Sequence, residues 1–160
     1  MNPRATVSDS HAIAAALAHC REVTRRCARN FYYGLKLSPE PQRSALYAIY
    51  AWMRRADDLV DSAPASDVAG LRERVAGFRA LTNAALEGRA DTSDPLWIGL
   101  ADTATRFGLP AEHFHAMLDG QEEDVTRTTF ATFADLCDYC YNVASTVGLL
   151  CIEIWGYGDA

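Results

Sequence analysis

Tyr50, Arg54, Asp57 and Asp61 follow one another at steps of four, three and four residues, a spacing that lines one face of an α-helix. An aromatic hydroxyl, a guanidinium and two carboxylates in one register form a strip capable of chemistry. Carboxylates at i and i+4 have Cβ atoms about 5–6 Å apart, near enough to share a hard cation. Magnesium suits such a strip, because it takes one or two protein carboxylates, keeps several waters and completes its octahedron with phosphate oxygens. The expectation is a Mg2+–diphosphate site on a helix. A plain solvated face competes with it, since Asp57 paired with Arg54 at the surface would contribute only about 0.2–0.5 kcal/mol. Two features favour function. Asp58 adds a third acid with no lysine nearby, and clustered aspartates are a local cost to a helix that packing does not explain.

The helix that carries this strip has an apolar face beside it. Leu46, Ile49, Met53, Ala56 and Val60 recur at helical steps, predicting a buried side on a helix over about 40–62, opened by Pro39 and Pro41. Before it, a helix over 9–28 presents Ile13, Leu17, Cys20, Val23 and Cys27, with Ser8 as cap. The aromatic cluster Asn30-Phe31-Tyr32-Tyr33-Gly34 reads as a turn that packs between helices. After the central helix, 68–87 is amphipathic through Leu71, Val75, Phe78 and Leu81. A further helix starts at Asp94-Pro95, with Leu96, Leu100, Ala104 and Phe107, and closes at Gly108. Over 111–123 Phe114, Met117 and Leu118 are apolar, and Met117, Gln121 and Asp124 follow on one side. The β-branched stretch 125–130 is loop-like, Thr132 is a candidate cap, and a last helix begins at Phe133, interrupted by the small residues Ala144, Ser145 and Gly148. A helical glycine costs about 0.8–1.0 kcal/mol relative to alanine, so Gly148 should have a packing or ligand reason. No strand pattern competes, and the prediction is one all-α domain.

Composition narrows the class. With 160 residues, nearly half of them apolar, the chain can bury a core. A formal charge of −6 and a pI near 5.1 exclude the clustered basic surface of a nucleic-acid binder. The five cysteines, Cys20, Cys27, Cys137, Cys140 and Cys151, are expected to be small buried apolar residues in a reducing compartment. Cys137-x-x-Cys140 has no second pair at zinc spacing. Neither 12–18 nor 147–155 is long enough to span a bilayer. The expected location is the cytoplasm, with peripheral membrane contact at most.

Three stretches together resemble the squalene/phytoene synthase family of head-to-head prenyl transferases. Phe31-Tyr32-Tyr33 resembles an early Ser-Phe-Tyr-Tyr motif. Tyr47-Ala48-x-Tyr50-Ala51-x-x-Arg54-x-x-Asp57-Asp58-x-x-Asp61 resembles the first aspartate-rich motif. Gly120-x-x-x-Asp124, with Leu136-x-x-Tyr139-Cys140-Tyr141-x-Val143-Ala144-Ser145-Thr146-Val147-Gly148, resembles the signature that precedes the second. The resemblance implies an all-α isoprenoid synthase bundle that joins two prenyl diphosphates, farnesyl diphosphate being the expected one, through a cyclopropyl diphosphate. It implies Mg2+ at Asp57, Asp58 and Asp61, with NADPH required only if the product is squalene. The residues suit those demands. Arg54 supplies positive charge at a departing diphosphate, and the ring faces of Phe31 and Tyr50 can stabilise an allylic cation. By resemblance Asp124 and Tyr139 also face the substrates, and Ser145 lies among small residues that leave room for an isoprenoid tail.

The sequence departs from the pattern at Asn30, where serine is usual, and at Phe130, where a tyrosine is frequent. It also stops at Ala160, before the second aspartate-rich motif. The chain is therefore expected to be an amino-terminal portion, inactive alone, with an apolar surface left uncovered. Two other classes are open. Glu112-x-x-His115 is one half of a di-metal carboxylate signature, and a helical module could bind prenyl lipid or protein without turnover.

Overall fold

The computed structural model describes residues 7–62, 67–124, 127 and 129–157, with side chains from residue 9 onward. Every regular element in them is helical, in the order α1 (Val7–Cys27), α2 (Arg29–Leu35), α3 (Gln42–Asp61), α4 (Val68–Leu86), α5 (Pro95–Phe107), α6 (Ala111–Asp124), α7 (Phe133–Cys140), a wide π-helical turn (Tyr141–Ser145) and α8 (Thr146–Trp155). α3 lies at the centre, packed against α1, α4, α5, α6 and α8.

The burial of α3 is wider than one stripe. Ala45, Leu46, Tyr47, Ala48, Ile49, Ala51, Trp52 and Ala56 are all buried, because neighbouring helices surround its first half. Towards its carboxyl end that cover stops, so Met53 and Val60, expected inside, are only half-buried. Trp52 holds the middle. Its ring meets Phe114 edge-on at 4.9 Å and Phe78 at 5.9 Å, and its Nε1–H donates to Thr82 Oγ1 at 3.0 Å. The hydroxyl of Thr82 passes a bond on to the Phe78 carbonyl at 2.9 Å, so neither buried polar group is left unpaired.

The helix starts follow the chemistry of capping. Asp94 accepts from Leu96 N at 2.9 Å ahead of Pro95, and Thr132 and Asp135 form a reciprocal capping box. Gly108 closes α5 in the left-handed conformation, φ 62°, which glycine adopts without steric cost. Helix α1 is under way at Val7, and the proposed Ser8 cap lies outside the described side chains.

Three expectations need correction. The aromatic cluster is a short helix, α2, rather than a turn. Buried Tyr32 anchors it by stacking on Tyr47 at 5.5 Å, a tertiary contact that outweighs weak local propensity. Of the cysteines only Cys20 is buried. Cys151 is half-buried, Cys27, Cys137 and Cys140 are exposed, and all are free, because their helices turn them away from the core. The last predicted helix is two helices joined by the π turn, and the close approach comes at Gly120. A Cβ there would stand 2.7 Å from Val143 Cγ1, whereas a Cβ on Gly148 meets nothing within 4 Å. No helix among the described residues is long and apolar enough to cross a membrane.

Candidate functional site

α3 delivers Tyr50, Arg54, Asp57 and Asp61 to one side, and exposure rises along it. Tyr50, Arg54 and Asp57 are half-buried, whereas Asp58 and Asp61 are exposed. Arg54 pairs with Asp58, one turn on, and not with Asp57. Among the described residues Asp57 then has no cationic partner in contact. Its partner is an amide: Gln121 Nε2 donates to Asp57 Oδ1 at 2.8 Å. Burial raises the pKa of Asp57, opposed by the Gln121 hydrogen bond and Arg54 and reinforced by Asp61 and Asp58. Burial likewise raises that of Tyr50. Negative charge that has been partly desolvated and crowded by like charges is the electrostatic setting that a divalent cation relieves.

Gln121 brings α6 into the site. Asp124 lies three residues further along α6, and Tyr139 of α7 donates its hydroxyl to Asp124 Oδ1. That bond, followed by burial, pushes the tyrosine pKa up to about 12. The Tyr139 ring meets Phe130 at 5.0 Å, and the Arg127 guanidinium lies 5.3 Å over the Phe130 ring.

On the other side of Tyr50 the strip opens into an apolar groove of about 270 Å3. Phe31 and Leu35 of α2, Leu46, Ile49, Tyr50 and Met53 of α3, and Val147, Cys151 and Trp155 of α8 line it. Trp155 donates its Nε1–H to Ser38 Oγ at 3.3 Å. Phe31 and Tyr50, named from sequence as cation-facing rings, thus line one groove. Tyr50 belongs both to the groove and to the carboxylate strip.

Not every expected residue converges. Ser145 is exposed on the π turn and does not line the groove. Among the described residues no three His, Cys, Asp or Glu side chains form a metal cage, and Asp58 is engaged by Arg54. Asp57 and Asp61 are the carboxylates that could hold Mg2+, an ion that takes few protein ligands. The di-metal reading finds no second half: Glu112 is exposed, and the His115 ring bonds Asn83 Oδ1 at 2.6 Å. Sequence reasoning missed Gln121 as a partner of Asp57, and Trp155, Val147 and Cys151 as groove walls. The four-and-three spacing of Met117, Gln121 and Asp124 was the one available signal.

The sequence profile of squalene/phytoene synthase matches residues 24–160. The chain belongs to the squalene/phytoene synthase family. The 15-cis-phytoene synthase of Synechococcus elongatus is 38% identical over 144 residues, covering 90% of this chain and 46% of that protein. The phytoene synthase of Arthrospira platensis is 36% identical over 159 residues, 99% of this chain and 48% of the relative. Among solved structures, squalene synthase HpnC from Alicyclobacillus acidocaldarius superposes with a TM-score of 0.83 at 28% identity, covering 92% of this chain and 54% of that one. A dehydrosqualene synthase complexed with a ligand superposes with a TM-score of 0.78 at 30% identity, covering 91% and 49%. The chain therefore has the all-helical isoprenoid synthase fold and spans about half the length of the relatives it matches.

Within this squalene/phytoene synthase frame the two departures are placed. Asn30 is exposed on α2. Phe130 keeps an aromatic ring against Tyr139 while lacking the hydroxyl.

Proposed function

We propose that this chain supplies one wall of a head-to-head prenyl transferase that condenses two prenyl diphosphates and releases diphosphate. The observation that carries the reading is the continuity at Tyr50, where an apolar groove ends against a strip of carboxylates and arginine. A prenyl diphosphate has the same division, a hydrocarbon tail on an anionic head. The groove would take the tail and exclude water from it. Arg54 would stand at the head, where the carbon–oxygen bond breaks and its electron pair stays with the diphosphate oxygen. The allylic cation left behind would lie within reach of the ring faces of Phe31 and Tyr50. Attack by the double bond of the second chain, with loss of a proton, then closes the cyclopropane. Asp57 and Asp61 would hold Mg2+, which supplies Lewis-acid stabilisation of the leaving diphosphate.

Farnesyl diphosphate is the substrate favoured by general resemblance. The phytoene synthases among the relatives support the longer geranylgeranyl diphosphate instead, because phytoene is built from two such units, and we take it as the preferred substrate. The test is diphosphate release from each substrate, with and without Mg2+, by the protein as its complete reading frame encodes it. Release should depend on Mg2+ and fall by about 10²-fold or more in Asp57→Asn and Asp61→Asn. Release that ignores both Mg2+ and these substitutions would reduce the aspartates to a solvated helix face.

A further inference from the structure

Gln121 is a polar side chain in an apolar place. It is 7% exposed, beside the core residues Met117 and Leu118 of its own helix. Its Nε2 crosses from α6 to α3 to donate to Asp57 Oδ1, joining residues 64 apart in sequence. The preceding residue, Gly120, lets the π turn come so close that a Cβ would collide with Val143, which fixes where α6 can sit and hence where the amide points. A buried amide is costly to leave unpaired, and this bond pairs it. An amide also differs from an arginine in what it does to its partner. It occupies one carboxylate oxygen and leaves the charge of Asp57 uncancelled, and among the described residues no group bonds Oδ2.

We propose that Gln121 is a positioning residue that turns the Asp57 carboxylate to receive a divalent cation. The inference rests on the reading of Asp57 and Asp61 as a cation site. Carboxylates that ligate metals are themselves hydrogen-bonded, and loss of such an outer partner typically weakens metal affinity 10–100-fold. The competing role for Gln121 is packing alone, and side-chain shape separates the two. Gln121→Met keeps the length and most of the volume but removes the donor. Gln121→Leu removes the donor and changes the shape.

The experiment measures Mn2+ affinity, from the spin-resonance signal of free Mn2+, in the presence of inorganic diphosphate. It compares the wild-type complete protein with both Gln121 variants, Asp57→Asn and Asp61→Asn, each checked for a cooperative thermal transition. Loss of about 10–100-fold in both Gln121 variants, with stronger loss in Asp57→Asn, is the expected result. Should Gln121→Met fail to fold, Gln121→Leu carries the comparison. Unchanged Mn2+ affinity in a folded Gln121 variant, alongside loss in Asp57→Asn, would overturn the positioning role and leave the cation site standing. Unchanged affinity in both aspartate variants would overturn the cation site, and the role of Gln121 with it.

Discussion

Replacing Gly120 and Gly148 with alanine, one at a time, should move stability in opposite directions. At Gly120 the added Cβ would lie 2.7 Å from Val143 Cγ1, 3.0 Å from Asn142 Cβ and 3.3 Å from Val143 N. The last of these is backbone, and a helical valine has little rotamer freedom with which to withdraw. Overpacking of this kind costs about 1–3 kcal/mol, and the better helix propensity of alanine offsets about 0.8–1.0 kcal/mol of it. The net effect is a loss of about 0–2 kcal/mol. At Gly148 the Cβ meets nothing within 4 Å, so propensity acts alone and the variant gains about 0.8–1.0 kcal/mol. The two variants should therefore differ by about 1–3 kcal/mol, which at about 2–4 °C per kcal/mol for a chain of this size separates their melting temperatures by roughly 2–12 °C. Urea unfolding of this chain followed by circular dichroism measures the difference as a shift of midpoint at constant m. A Gly120→Ala protein as stable as Gly148→Ala would refute the close approach of α6 to the π turn.

Two further outcomes follow from the core. Thr82→Val keeps the shape of the side chain but leaves the buried Trp52 Nε1–H without its acceptor, and should cost about 1–3 kcal/mol. A melting temperature equal to wild type would remove that bond from the account. Burial, assisted by Asp94, pushes the Cys20 thiol from 9.0 up to about 12. The folded state holds this proton more tightly than the unfolded chain does. The stability it contributes is therefore complete below pH 9.0 and is lost as pH rises towards about 12. At mildly alkaline pH an alkylating reagent should label the exposed Cys27, Cys137 and Cys140 and spare Cys20 until denaturant is added. Native-state labelling of Cys20 read by mass spectrometry would contradict its burial.

Much of this protein is legible from local pattern. The repeat of apolar residues at helical steps determines the all-α class, and Asp94-Pro95, Gly108 and Thr132 mark helix ends because capping depends on neighbours within a turn. The strip Tyr50, Arg54, Asp57 and Asp61 is equally local, since one helix places all four. Three-dimensional packing decided what joins that strip. Periodicity gives each helix a face but not its neighbour, so it could not say that Arg54 would turn to Asp58 or that Gln121 would reach Asp57 across 64 residues of sequence. Nor could it tell which glycine faces a wall. Gly120 and Gly148 are alike as residues in helices, and only the approach of Val143 makes a side chain costly at one of them. The burial of Tyr32 against Tyr47 made a helix where a turn was expected, for the same reason. Spacing along the chain determined which groups could act together, and contacts between distant segments decided which of them meet, because helix packing is settled by shape and burial across the whole core.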